Sequence, residues 1–188
     1  MIRTLLIGLV TAAAVTIMST TGTHAAKPDV KPYMQAFLKK AAEEQLAQIT
    51  LGRLAAQQGK NERVKQFGEE MVVTHRIVSS ELRQLATPRG VQLPSQMDDD
   101  HKCIGEELSQ QSGHAFDHAY VQQILGTHQN DVNEFEENMQ TLDDAEVLRW
   151  VHKTLPMLRA HMEDARCPPH SLQTNPCSGD NCREHSTG

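Results

Sequence analysis

Along four long stretches of the chain, apolar residues recur at steps of three and four, the spacing of helices that bury one face. The first stretch runs from about residue 31 to 58, with Met34, Phe37, Leu38, Ala41, Ala42, Ile49, Gly52 and Ala56 pointing inward and Gly59 ending it. Asn61 caps the second, which carries Val64, Phe67, Met71, His75, Val78, Leu82 and Leu85 before Pro88 and Gly90. The third starts near His114 and passes through Phe116, Tyr120, Val121, Leu125, His128, Val132, Phe135 and Met139. The fourth follows Asp143 and Asp144, continues through Leu148, Val151, Leu155, Leu158, His161, Met162 and Ala165, and stops at Pro168 and Pro169.

Short turns after the first and third helices make two antiparallel hairpins, and four amphipathic rods bury their stripes most simply against one another. The fold expected is all-α, a four-helix bundle over residues 26–166. The connection between helices two and three is long, from Thr87 to Gly113, with Asp98 to Asp100 placed to cap a short helix that contains Ile104 and Leu108. Its roughly 26 residues can travel the length of a helix of about 40 Å, so an up-down-down-up crossover is open to it, though not required. A chain of 188 residues with 38% hydrophobic and only 4% aromatic content suits one aliphatic-cored domain.

Charge removes one class of function. With 24 acidic against 18 basic residues, a net charge of −6 and no basic run, the chain lacks what nucleic-acid binding needs.

The first residues read as an address. Arg3 precedes an apolar run from Leu5 to Met18, and Thr23 and Ala25 suit a signal-peptidase site, giving a signal peptide over residues 1–25. The run is about 14 residues against the roughly 20 a spanning helix needs; an uncleaved N-terminal anchor shares the layout and stays open. A periplasmic or secreted protein follows, with no integral membrane span after cleavage. An even set of cysteines, Cys103, Cys167, Cys177 and Cys182, agrees with an oxidising compartment. Cys177 and Cys182 enclose a turn-forming Ser-Gly-Asp-Asn, so the expected pairs are 177 with 182 and 103 with 167. A metal site built from the tail cysteines with His170 and His185 is the competing reading, and residues 167–188 otherwise read as a disordered tail rich in Cys, Pro and His.

His75 and His128 sit where every other member of the stripe is apolar, each about 14 residues into its helix, which puts both at mid-height in either topology. Imidazoles on core seams must be hydrogen-bonded, paired or metal-bound, because an unsatisfied buried polar group costs roughly 1–3 kcal/mol. A facing pair at mid-bundle is where helical bundles build metal sites. His161 can also point inward, although helix arithmetic displaces it by roughly 6–9 Å along the axis unless stagger removes the gap. Asp131, one turn after His128, is placed to bind an ion or support a ligand, and Glu44 and Gln48 lie near the right height on the first helix. No Glu-x-x-His pair occurs on the long helices, so two or three imidazoles with one carboxylate suit zinc, copper or a single iron better than a di-iron cluster. The alternative is that each histidine is a satisfied core residue. No nucleophile elbow is present, and Thr74 and Thr127 carry no hydrolytic motif.

At these histidines the chain resembles a bacterial envelope family, domain of unknown function 4142. The matching pieces are Leu51-Gly52-x-Leu54-Ala55, Met71-Val72-x-x-His75, Leu93-Pro94, Gly113-x-x-Phe116-Asp117-x-x-Tyr120-Val121, His128-x-x-Asp131-Val132-x-x-Phe135 and Leu155-Pro156-x-Leu158-x-x-His161. The resemblance implies a ferritin-like bundle. It carries no activity, and similarity of this kind licenses a fold more than a function. Two departures reduce the negative charge available to a cation: Gln48 stands where the family usually has glutamate, and Thr74 and Thr127 where it tends to have aspartate.

Two functions from different classes are therefore expected. One is an exported bundle that binds a transition metal through inward-facing His75, His128 and His161, for metal handling or redox and stress defence. The other is a metal-free envelope interaction or stress-response scaffold with structural histidines, its protein partner undetermined. Catalysis by a carboxylate pair ranks last for want of a convergent pair.

Overall fold

The structure, a computed structural model, describes residues 30–166. Five helices follow one another: α1 (Pro32–Gln58), α2 (Glu62–Ala86), α3 (Asp99–Ser109), α4 (Gly113–Met139) and α5 (Ala145–Arg166). The four long ones fall where the apolar spacing predicts them, and α3 is the short helix of the connection. The expected signal peptide, the tail and three of the cysteines lie outside the described residues.

Local chemistry sets the boundaries. Asn61 Oδ1 accepts from the Arg63 N–H at the start of α2, Asp98 from the His101 N–H at the start of α3, and Asp144 from the Glu146 and Val147 N–H groups at the start of α5. Pro32 occupies the first turn of α1, where a missing N–H costs nothing. Gly59 closes α1 with an ordinary φ of −52° rather than as a left-handed cap. The reason for glycine there is space, since a Cβ would meet the Ala55 carbonyl at 2.7 Å.

Ion pairs fix the topology. Lys31 at the start of α1 pairs with Asp143 just before α5, Lys40 pairs with Glu134 of α4, and the α1–α2 turn meets the start of α4 through Asp117. Thus α1 runs antiparallel to α4. The Glu81–Lys153 pair and the contact of Thr74 with His161 set α2 antiparallel to α5. With each hairpin also antiparallel, the bundle is up-down-down-up, and residues 87–112 must traverse its length. The crossover passes along the α1/α4 side, with Gly105 against Leu51 and Leu108 buried in the core.

Two apolar clusters fill the interior. One gathers Phe37, Leu38, Leu82, Phe135, Trp150 and Leu158 toward the α4–α5 turn; the other gathers Leu51, Phe67, Met71, Phe116, Tyr120 and Ile124 toward the α1–α2 turn. Both ends are fastened. Arg89 forks onto Asp144 through Nε at 2.9 Å and Nη2 at 2.6 Å, and fully buried Asp117 accepts from the Lys60 and Asn61 N–H groups at 2.8 and 2.9 Å.

Among the described residues, Cys103 lies on the solvent face of α3, its sulfur 3.8 Å from Glu107 Oε1. Its expected partner lies beyond the described residues, as does the pair of Cys177 with Cys182.

The helices come close at the α1–α2 crossing, where Gly68 faces Gly52. A Cβ on Gly68 would meet the Gly52 carbonyl oxygen at 2.6 Å and the Ala56 nitrogen at 2.8 Å, and backbone cannot yield as a side-chain tip can. Gly68→Ala is expected to cost about 1–3 kcal/mol in urea unfolding through overpacking. Gly126, on the exposed side of α4 with nothing within 4 Å, is its counterpart: Gly126→Ala is expected to stabilise by up to about 1 kcal/mol through helix propensity.

Candidate metal centre

Between the two apolar clusters runs a layer of polar side chains. His75 replaces an apolar residue on the buried stripe of α2, His128 does so on α4 and His161 on α5, and all three rings are buried, at 0%, 0% and 2% exposure. One nitrogen from each lies within 4.8 Å of the other two. The ring centroids are 5.3, 5.2 and 5.4 Å apart, a compact triangle. Phe67 walls one side, its ring edge-on to His161 at 6.1 Å.

The outward nitrogens determine which lone pairs face the centre. Gln45 Oε1 can only accept, so His75 Nδ1–H donates to it at 2.8 Å and Nε2, which has no other partner, is left as an inward lone pair. The Thr74 hydroxyl donates to the Glu70 carbonyl at 2.9 Å, so its oxygen accepts from His161 Nε2–H at 3.3 Å and leaves His161 Nδ1 facing His128 Nε2 at 3.2 Å. Two lone pairs cannot meet at that distance, and a single proton on His128 Nε2 joins the rings. His128 Nδ1 is then the unpartnered nitrogen on that ring.

All three imidazoles are neutral at neutral pH. Burial pushes His75 well below its ordinary value, helped by the charge His128 and His161 would carry. Burial, then His161, lowers His128 to about 3, against a partly compensating effect of the Ile124 backbone, which raises it. Burial alone takes His161 to about 4. Neutral imidazole is the form that binds a transition metal.

His161 therefore joins the pair at full depth. The axial gap expected for it is closed by the stagger of α5, which sets Thr74 opposite His161 and Glu81 opposite Lys153. Gln48 lies beside the triangle, fully buried, donating from Nε2 to Thr127 Oγ1 at 3.1 Å. Glu44 and Asp131 do not reach it. Three residues on a helix turn the side chain by about 60°, enough to swing Asp131 from the His128 face toward α1 and the crossover.

There they form a separate polar group. His101 of α3 bridges Asp98, at 2.9 Å from Nδ1, and Glu44, at 3.2 Å from Nε2, and these carboxylates raise it to about 9. Asp131, 6% exposed, is held well above the usual carboxylate range by burial first and then by Glu44 and Glu134. Gln45 is the residue sequence reasoning missed. The inward stripe of α1 skips from Ala42 to Ile49, and the two glutamines that fill the gap were its signal. His101, three residues before Ile104 on α3, could have been found in the same way.

The family described as Domain of unknown function (DUF4142) matches residues 19–167, and the chain belongs to it. No curated protein and no solved structure matches the chain.

The His101 bridge has a pH signature. A raised value contributes stability that is complete below about 6.5, the ordinary histidine value, and is lost as pH rises through about 9. His101→Gln is expected to lower stability at pH 6 by on the order of 1–2 kcal/mol and to converge with the parent by pH 10, in urea midpoints across that range.

Proposed function

We propose that this DUF4142 member is an exported helical bundle that holds one transition-metal ion on His75, His128 and His161. The observation that carries the reading is the convergence of three buried, neutral imidazole nitrogens within 4.8 Å, with the outer nitrogens of two rings already tied to Gln45 and Thr74. Hydrogen bonds of that kind orient a ligand ring and fix its tautomer in metal sites. The apolar run near the N-terminus supports export. Zinc, copper and iron are the ions that imidazole suits, and the enclosed position fits holding an ion rather than presenting it to a substrate, which favours metal handling or redox defence over catalysis.

Binding requires little rearrangement. The proton between His128 Nε2 and His161 Nδ1 gives way to the ion, and His128 keeps it on Nδ1, toward the Ile124 backbone, which already favours a protonated ring. A second reading, the metal-free scaffold, draws on the same 3.2 Å contact, since the rings satisfy one another without an ion.

Elemental analysis of untagged mature protein separates the two. One zinc, copper or iron per chain is expected, and His75→Ala with His128→Ala abolishes it. The bound ion raises the melting temperature by roughly 5–10 °C at about 100 times the dissociation constant. Metal-free protein whose melting temperature no metal moves establishes the scaffold reading. Calorimetric titration at pH 7.5 in buffers of different ionisation heat is expected to show almost no proton release, because the ligands are already neutral. Gln45→Leu should weaken binding about 10–100-fold.

A further inference from the structure

We infer that the ion this site is built for is monovalent copper. The inference rests on the metal-centre reading above and names its cargo. The donor set is three imidazoles with no net charge, and no carboxylate or thiol among the described residues joins the group. The residues hydrogen-bonded to the rings, Gln45 and Thr74, are neutral as well. Glu44 and Asp131 belong to the group around His101 and neutralise nothing at the triangle.

Charge and enclosure then select the ion. The cost of moving an ion out of water grows as the square of its charge, so a divalent ion here costs about four times what a monovalent one does, with no counter-charge to offset it. Zinc sites fall into two kinds: closed ones with four protein ligands, and open ones with three ligands and a water. Three imidazoles are one protein ligand short of the closed kind, and at 0%, 0% and 2% exposure their rings touch no water-sized space that would supply the fourth ligand of the open kind. Ferrous iron and cupric copper likewise ask for four or more ligands. Cuprous copper has a filled d shell and accepts three nitrogens in a plane. At a bond length near 2.0 Å, taken from zinc–imidazole bonds, planar ligand nitrogens lie about 3.5 Å apart. The triangle has one such edge at 3.2 Å and none beyond 4.8 Å.

The cysteines elsewhere in the chain, Cys103, Cys167, Cys177 and Cys182, compete for soft ions whenever they are reduced, and a test has to remove them.

The experiment titrates the untagged mature chain, and a variant with all four cysteines changed to serine, anaerobically with Cu(I) against bicinchoninate, and separately with Zn(II) and Fe(II). One Cu(I) per chain is expected in both proteins, bound at least about 1,000-fold more tightly than either divalent ion, with an X-ray absorption edge of a three-coordinate nitrogen site. His128→Leu and His161→Leu fill the apolar interior after a ligand is lost, and each should weaken Cu(I) by at least about 100-fold while circular dichroism stays unchanged. Where these fail to fold, the absorption edge of the parent carries the assignment. Tighter histidine-dependent binding of zinc or iron overturns the copper inference and leaves the metal centre standing. Copper retained undiminished in folded histidine variants, or an edge showing sulfur ligation, overturns it too. Absence of any bound metal removes both readings together.

Discussion

The bundle depends on one constraint: a layer of polar side chains crosses its interior and has to be satisfied from within. Gln45 of α1 takes His75 of α2, Gln48 of α1 meets Thr127 of α4, Thr74 of α2 meets His161 of α5, and His128 of α4 meets His161. Each of the four helix interfaces is thus crossed by one hydrogen bond at the same height. Apolar stripes alone tolerate sliding by a turn of about 5.4 Å, since one aliphatic contact replaces another. The polar layer does not, because a slip leaves several buried donors and acceptors unpaired at roughly 1–3 kcal/mol each. Register is fixed here more than stability is gained.

Topology serves the same layer. An up-down-down-up arrangement places α1 against α4 and α2 against α5, both antiparallel, so that histidines on α2, α4 and α5 converge while α1 supplies amides. The arrangement needs a crossover the length of the bundle, and α3 makes that crossover part of the structure through Leu108 in the core and His101 between Asp98 and Glu44. Arg89 at one end and Asp117 at the other prevent the hairpins from splaying.

The four long helices could be read from spacing because three- and four-residue steps are a local property, recorded residue by residue. His75 and His128 stood out for the same reason, as polar breaks in apolar stripes. What spacing does not contain is the axial stagger between helices, and that stagger brings His161 level with its neighbours. Spacing also resolves rotation about a helix axis only coarsely. Asp131 shares a face with His128 in the broad sense of a helix wheel, yet a turn of about 60° directs it to a different cluster. Gln45 was overlooked because a gap in an apolar pattern looks like an absence, whereas inside a bundle a polar residue at a buried position is a demand for a partner.

The neutral state of the layer links the proposed ion to the fold. Desolvation holds the three rings uncharged, so without an ion the interior carries no charge to repel itself and the bundle stays closed. The same bonds to Gln45 and Thr74 would persist with an ion bound, because they use the nitrogens that face away from the centre. Loading would therefore exchange one inter-ring proton bridge for metal bonds and shift one tautomer. A site of this kind adds its binding energy to a scaffold that is already formed, in contrast to small metal domains that fold only around their ion.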